Sequence, residues 1–368
     1  MMCRIPLANA LFDGRETTVF ETPDWQVVSF RYRTGIAGLR ISGRHSESVV
    51  LPFRGQQIWD LRLGGESVGM RGMTDEPQNS ATLADSFGAF FFHCGLMGTG
   101  APGPGDDYPQ HGELPLAAMT EAWLEFGDTT GRALTLRSRY RHASLYKTHY
   151  LAEPYIRFSP DEAQIAIGIR VENHSGNPMP FQYMGHPNFR PVDGARLAYS
   201  AQYSGTSVRL HTAMPDEDTS DPGRLALLQK LTLSPCDHHD MPAGQRFDPE
   251  VVFEIDYLSD ADGWAHSLQL HPDGTSDAVS HQTQTCPRAL RWISRTADID
   301  AIALVEPATS WLGGFSAEKA AGRVPILAPG GVWQTEMRIE RLDRVQTTER
   351  LAEIDDIAGR TSPKNREL

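Results

Sequence analysis

Short runs of alternating apolar and polar residues recur along the whole chain, and they constrain its fold more than any other feature. Gln57–Leu63 reads QIWDLRL, and Ala163–Val171 places three isoleucines and Val171 on one face. A two-residue period is typical of a β-strand with one buried and one wet face. Antiparallel sheets give this pattern, whereas strands of parallel sheets are apolar on both faces. Further strands are predicted at Val27–Arg33, Arg132–Arg141, Val251–Ile255, Trp264–Leu270, Ala289–Ile293, Ala301–Val305 and Trp333–Ile339.

Helical patterns are scarce. Ser316–Ala321 is long enough for one turn, and Thr347–Ile357 has a candidate N-cap threonine followed by apolar residues at three-residue spacing. The strand series continues without a break in composition. We therefore predict an all-β fold of two packed antiparallel sheets, as one domain over residues 1–345, with a C-terminal helix and tail over residues 346–368.

Composition excludes several classes of function. The chain has 34 Lys and Arg against 47 Asp and Glu, a formal net charge of -13, which argues against a nucleic-acid partner and an anionic membrane surface. Its N-terminus lacks the contiguous apolar run of a signal peptide. Four cysteines without a C-x-x-C pair form neither a disulfide framework nor a zinc ribbon. We expect a reduced, cytoplasmic protein.

Two long segments interrupt the strand rhythm. Gly95–Gly112 is rich in glycine and proline, and Ala213–Arg224 is acidic and turn-forming. Long loops in a compact domain often carry function, and a plain surface excursion is the alternative for each.

Three local patterns imitate functional motifs. Gly98–Gly103 matches G-x-G-x-x-G, but helix-breaking prolines follow it, so a dinucleotide site is not expected. Gly65–Gly69 matches G-x-S-x-G, but the next residues are not helical, which favours a turn serine. Cys236–Asp240 (CDHHD) lacks the spacing of metal ligands and is interpreted as a solvated polar loop.

Polar side chains with acid–base chemistry stand in three apolar or turn-bounded segments. Pro109–Pro115 contains His111 and Glu113, Tyr183–Phe189 contains His186, and Ala303–Thr309 contains Glu306. Imidazole titrates near neutral pH, and partial burial raises the pKa of a carboxyl toward neutrality. Taken alone, such a histidine is more often a hydrogen-bonded structural residue, and such a glutamate is more often a solvated strand end. From the residues alone, the prediction is a β protein with an acid–base cleft.

Taken together, these segments resemble the galactose-mutarotase-like (aldose 1-epimerase) superfamily, in particular its aldose 1-epimerase-related branch of unknown function. The resemblance runs from about Val49 to Arg341. It rests on the order and spacing of several short matches, which are Pro52–Gly55 with Ile58, His93–Leu96, His111-Gly112, Val171–Asn173, His186–Phe189, Glu306–Thr309, Gly322-Arg323 and Leu327–Gly330.

The resemblance implies an antiparallel β-supersandwich with a sugar cleft on one sheet. In this family a glutamate removes the proton of the anomeric hydroxyl and a histidine protonates the ring oxygen, so that the ring opens and recloses with C1 inverted. Glu306 matches the base, His186 matches the acid, and His111 matches a second cleft histidine. The implied activity is that of an isomerase acting on carbohydrate, without cofactor or metal.

Other predicted substrate-binding residues are Arg54, Asn188, Trp292 and Glu113. Arg54 is a candidate because the Phe92–Leu96 segment lacks the arginine of the family's cleft. The resemblance also implies an acidic sugar ligand between the acid and the base, for which Asp248 and Glu250 are the candidates. For Trp292, a core position is as consistent with its alternating strand as stacking on a sugar.

The expected partner is a small sugar, and a homodimer stays open. One alternative function is carbohydrate binding without turnover. Another is a metal-dependent, cupin-like enzyme using His111, His186 and Glu113. A glycosidase or a lyase is a further class that related folds contain.

Overall fold

The computed structural model describes residues 3–127, 132–145, 147–211 and 222–360. Strands dominate these residues. They are β1 Cys3–Pro6, β2 Thr17–Glu21, β3 Trp25–Arg31, β4 Ala37–Gly43, β5 Ser46–Leu51, β6 Gln57–Leu63, β7 Glu66–Ser67, β8 Phe91–Leu96, β9 Glu121–Phe126, β10 Leu134–Ala143, β11 His149–Phe158, β12 Gln164–Asn173, β13 Met179–Pro180, β14 Gln182–Pro187, β15 Ala195–Tyr199, β16 Val208–Leu210, β17 Asp240–Met241, β18 Phe247–Ile255, β19 Trp264–Leu270, β20 Ser276–Gln282, β21 Arg288–Arg295, β22 Asp300–Ala308, β23 Ile326–Leu327 and β24 Val332–Leu342.

Helices are few and short. The described helices are α1 Pro222–Leu233, α2 Phe315–Ala320 and α3 Arg344–Ile357, with 3₁₀ turns at Asn9–Leu11, Ala84–Ser86 and Pro235–His239. None of the described helices is both long and apolar enough to cross a membrane.

Antiparallel pairing joins the strands into two large sheets. The ten-stranded sheet has the order β1-β9-β10-β11-β12-β24-β20-β19-β15-β17. The twelve-stranded sheet has the order β16-β18-β21-β22-β14-β8-β6-β5-β4-β3-β2, with β7 paired to β6. Strands β13 and β23 form a separate two-stranded ladder. The predicted all-β fold of antiparallel sheets is confirmed.

The main core lies between the two large sheets, as the alternation predicts. Leu136 of β10 and Ile167 of β12 come from the ten-stranded sheet, and Leu61 of β6 and Phe91 of β8 come from the twelve-stranded sheet. On the wet side of β10, charged residues form ion pairs such as that of Arg137 with Glu125 at 2.7 Å.

A second apolar cluster covers the opposite face of the twelve-stranded sheet. Since neighbouring residues of a strand point to opposite faces, Phe91 of β8 enters the main core while Phe92 and Cys94 enter this second cluster. Leu290 and Trp292 of β21 lie on the same face. Polar residues placed among these side chains are therefore both buried and outside the main core.

The Gly95–Gly112 loop folds back onto the end of β8. The Gly95 amide donates to the His111 carbonyl (2.9 Å), and the His111 amide donates to the Gly100 carbonyl (2.8 Å). Gly112 adopts a φ of 78°, and an added Cβ would lie 2.5 Å from the Gly98 carbonyl oxygen. Hydrogen bonds and close packing thus hold the loop in a defined position at the end of β8.

Some local expectations were wrong. Helix α3 begins at Arg344, because Asp343, and not a threonine of Thr347–Ile357, caps it by accepting from the amides of Val345 and Gln346. Helix α1 has no counterpart among the predicted elements.

No helix follows the G-x-S-x-G match or forms in the G-x-G-x-x-G match, as predicted. Residues 213–221 of the acidic segment and the tail at 361–368 lie outside the described residues.

We predict that Gly112→Ala destabilises the protein far more than Gly105→Ala. Both glycines have φ near 80°, but Gly105 has nothing within 4 Å of an added Cβ. Gly105→Ala should cost only the left-handed backbone strain, about 1–2 kcal/mol. Gly112→Ala adds contacts with two backbone carbonyls that cannot move independently. Urea unfolding measures both free energies, and equal losses would contradict the packed loop.

Candidate active site

Strand register places His186 and Glu306 side by side. Met184 of β14 pairs with Ala308 of β22, and the antiparallel rule sets residue 186 opposite residue 306. Both residues are followed by proline, which has no N–H to donate to a hydrogen bond between strands. Among the described residues, Met184 and Ala308 are the one ladder pair between these strands. Two side chains that are 120 residues apart in sequence thus meet in the middle of a sheet.

The two side chains form a buried pair. Nε2 of His186 and Oε1 of Glu306 are 3.0 Å apart, and the residues are 4% and 2% exposed. Within the described part of the chain, Oε1 of Glu306 and Nδ1 of His186 have no aligned hydrogen-bond partner. The pair is close but under-satisfied, which is expensive in a structural pair and common at reactive sites.

Aromatic rings enclose His186 and account for its burial. Phe92 stacks on the imidazole with ring centroids 4.6 Å apart, because β8 and β14 place Phe92 and His186 opposite each other. Trp292 packs edge-on at 5.6 Å and Phe87 at 6.1 Å. Trp292 therefore lies against His186, on the face away from the main core.

His111 meets the pair from the Gly95–Gly112 loop. Its ring centroid is 5.4 Å from that of His186, and its Nδ1 has no hydrogen-bond partner among the described residues. Its backbone has a φ of 62°, a conformation rare outside glycine and often found at functional sites. The three residues proposed for acid–base work lie together.

Burial shifts these groups in opposite directions. It raises the pKa of Glu306 to about 8, with the nearby carboxylate of Glu250 adding to the shift. It lowers the pKa of His186 well below 6.5, with His111 as a smaller cause, and lowers the pKa of His111 to about 4. In the free protein at pH 7, the favoured state is a neutral imidazole beside a protonated carboxyl.

Of the two acidic residues considered for the sugar ligand, Glu250 is the one at the site. Its Oε2 accepts a hydrogen bond from Nε1 of Trp292 (2.6 Å), and its charge acts on Glu306. Asp248 is exposed and pairs with Arg246. The backbone register shifts between Phe247 and Val251, so strand alternation alone could not separate the two.

Two further predicted binding residues, Asn188 and Arg54, donate hydrogen bonds to the segment between β7 and β8. Asn188 is fully buried, and its Nδ2 donates to the Ala89 carbonyl (2.9 Å). Arg54 is half-buried, and its Nη2 donates to the Ser80 carbonyl (2.6 Å). Both contacts fix the connection between β7 and β8, which carries Phe87. No sequence signal pointed to Phe87, because it lies in an irregular segment.

The carboxylate of Glu113 already accepts several hydrogen bonds from nearby groups of the protein. Its carboxylate accepts from the amides of Leu96 (3.0 Å) and Met97 (3.2 Å) and from the hydroxyl of Tyr150 (2.5 Å). Among the described residues, Glu113 does not form a three-ligand cluster with His111 and His186. The donor geometry therefore gives no support to the cupin-like alternative.

The interpretation of Cys236–Asp240 as a solvated loop was wrong for His238. This residue is buried and stacks on Phe253 with ring centroids 3.9 Å apart. Its Nδ1 bonds to the Pro235 carbonyl, and its Nε2 accepts from Nη1 of the buried Arg291 (2.9 Å). The hydrogen bond from Arg291 gives the buried His238 a polar partner. Because Arg291 lies on a strand distant in sequence, the residues around His238 could not predict this contact.

One known protein family matches most of the chain. Residues 34–340 match the model of a family described as domain of unknown function (DUF4432). The chain belongs to this family. No match was found among the curated proteins.

Solved structures show the fold. A Klebsiella pneumoniae protein described as a "putative aldose 1-epimerase" is similar over 100% of both chains, with a TM-score of 0.83 at 18% identity. A galactose mutarotase-like protein from Clostridium acetobutylicum covers 88% of this chain and 100% of its own, with a TM-score of 0.62 at 12% identity. The galactose mutarotase-like β-sandwich implied by the sequence resemblance is therefore confirmed.

We predict that Glu306→Gln changes the pH dependence of stability. A folded-state pKa raised from 4.5 to about 8 means that this group's stabilisation is full below pH 4.5 and is lost as pH rises through 8. The free energy of unfolding of the wild type should fall relative to the variant across that window, by at most about 5 kcal/mol. Urea unfolding at several pH values measures the difference, and a difference independent of pH would contradict the buried neutral carboxyl.

Proposed function

We propose that this protein interconverts the anomers of an aldose by opening and closing the sugar ring, with Glu306 as general base and His186 as general acid. The observation that carries the proposal is the buried pair with Nε2 and Oε1 3.0 Å apart. The reaction needs one group that removes a proton and one that supplies a proton near neutral pH. Likeness of fold to a mutarotase-like protein supports the same chemistry.

One proton on the pair is enough for this reaction. Burial favours the uncharged form, with the proton on Glu306 and a neutral His186. Moving that proton to His186 gives a carboxylate and an imidazolium without changing the total. A sugar bound against the pair brings hydroxyl groups into apolar surroundings, and these favour the charged form by hydrogen bonding. Substrate binding itself thus prepares the acid and the base.

The ring then opens in one balanced step. The Glu306 carboxylate accepts the proton of the anomeric hydroxyl as the C1–O5 bond breaks. The electron pair of the broken C1–O5 bond stays on O5, and O5 takes the proton of the His186 imidazolium. The product is the open-chain aldehyde. Rotation about C1–C2 presents the other face of the carbonyl, and the reverse transfers close the ring with C1 inverted.

Other residues bind the sugar in this proposal. Nδ1 of His111 and Oδ1 of Asn188 are buried and lack aligned hydrogen-bond partners among the described residues, so they suit sugar hydroxyl groups. Trp292 and Phe87 offer apolar ring surface beside His186. A few placed polar atoms among aromatic rings are the usual composition of a small-molecule site. Neither metal nor organic cofactor is needed for these transfers.

We predict that Glu306→Gln lowers the anomer exchange rate by about 10²–10⁴-fold, the usual contribution of one general acid–base group. The variant keeps the size of the side chain and removes only its ability to accept the proton. Exchange NMR on equilibrated anomers measures the rate over hexoses, pentoses and their phosphates. Glu66→Gln, at an exposed residue of β7, is the matched control and should retain the wild-type rate.

Two results would decide against catalysis. Equal rates for the wild type and Glu306→Gln would remove Glu306 from the reaction. Saturable sugar binding by the wild type without any acceleration would instead establish the alternative of carbohydrate binding without turnover. Binding measured by calorimetry on the same sugar panel separates these two results.

We predict a bell-shaped pH dependence of kcat/KM. Activity needs a single proton on the pair. It should fall at high pH with an apparent pKa near 8, the value to which burial raises Glu306, and at low pH only well below 6.5, where a second proton binds. Exchange rates corrected for spontaneous mutarotation test this profile. A rate that continues to rise above pH 9 would contradict it.

A further inference from the structure

His266, which lies outside the candidate active site, is a buried histidine with one ring nitrogen that lacks a hydrogen-bond partner among the described residues. His266 of β19 is 5% exposed. Its Nδ1 lies 2.8 Å from Oγ of Ser280, whereas its Nε2 has no hydrogen-bond partner among the described residues. A buried polar atom without a protein partner costs free energy, so a role in binding a ligand is one physical reason for its presence.

Two carboxylates face this nitrogen. Oδ2 of Asp260 is 3.9 Å from Nε2 of His266, and Oε1 of Glu353 is 3.5 Å from it. All three atoms lie within 4.8 Å of one another. Ligand atoms bound at about 2.0–2.2 Å around one transition ion are roughly 3–3.5 Å apart. Small side-chain movements are enough to bring these atoms to that spacing.

Hydrogen bonds orient each of the three groups toward the shared point. Oδ1 of Asp260 accepts from the amides of Asp262 and Trp264 (2.9 and 2.8 Å), which leaves Oδ2 facing His266. The other oxygen of Glu353, Oε2, is paired with Nε of Arg350 at 3.1 Å. With Ser280 on Nδ1 of His266, each ligand has the second partner typical of metal sites.

We propose that Asp260, His266 and Glu353 bind one divalent first-row transition ion, with water in the remaining positions. One imidazole and two carboxylates suit zinc or manganese better than magnesium, which prefers oxygen ligands alone. Two carboxylates balance the charge of the ion, and the guanidinium of Arg350 is itself paired with Glu340 at 2.9 Å. The Glu353 side chain is 43% exposed, so an ion and water can enter.

The bound ion joins three separate elements. Asp260 lies in the turn before β19, His266 in β19, and Glu353 in α3. Helix α3 packs on the ten-stranded sheet through Ile354 and Leu351 in a small apolar cluster. An ion held by ligands from helix, strand and turn fastens the C-terminal helix to the sheet, and its binding free energy adds to the stability of the folded protein.

The test is zinc binding to the untagged full-length chain after treatment with a chelator and dialysis. Calorimetry should show saturable uptake of one zinc ion at this site, and thermal unfolding should shift to higher temperature with zinc. Asp260→Asn keeps the turn's hydrogen bonds through Oδ1 and should weaken binding by at least about tenfold. Glu353→Gln should do the same.

Glu349→Gln is the matched control, because Glu349 is an exposed residue of the same helix. It should bind zinc and gain thermal stability as the wild type does. Circular dichroism without metal checks that the variants fold. No saturable zinc binding by the wild type, or full binding retained in both Asp260→Asn and Glu353→Gln, would overturn the proposal and leave an ion pair of His266 with two carboxylates.

Discussion

The pairing of β14 with β22 is the constraint on which the candidate site depends. It is anchored by Met184 opposite Ala308 and by the bridge of Phe189 with Ile302. Because side chains alternate along a strand, a slip of one residue would turn either His186 or Glu306 into the main core. The relative position of His186 and Glu306 is thus set by backbone register. It is fixed as precisely as strand pairing allows, which is more precise than the position of a loop residue.

Hydrogen bonds at the ends of these strands hold that register. The Tyr183 amide donates to Oγ1 of Thr309 (2.9 Å), and Nε2 of Gln182 donates to Oγ of Ser310 (2.7 Å). The Gly95–Gly112 loop bonds to one of these residues, since the Thr99 amide donates to Oε1 of Gln182 (3.3 Å). The loop that carries His111 is therefore tied to the strand that carries His186.

Sequence alone predicts the strands well, because one buried and one wet face leave a period of two. It does not predict which strands are neighbours, since pairing partners such as Met184 and Ala308 are far apart in the chain. His186, Glu306 and His111 were found through the order of short family-like segments. Phe87 and the choice of Glu250 over Asp248 needed the folded chain, because an irregular connection and a shifted register determine their positions.

Two glutamates near the same loop differ in the hydrogen bonds that their carboxyl groups accept. Glu113 accepts hydrogen bonds from two backbone amides and one tyrosine hydroxyl, so its oxygens are satisfied and it serves the backbone. Glu306 is buried, but its Oε1 has no aligned donor among the described residues. Burial without donors is what raises its pKa toward neutrality. The same lack of donors lowers the stability of the fold above neutral pH. In the proposed mechanism, this loss of stability is the physical condition for a carboxyl that exchanges protons with a sugar near neutral pH.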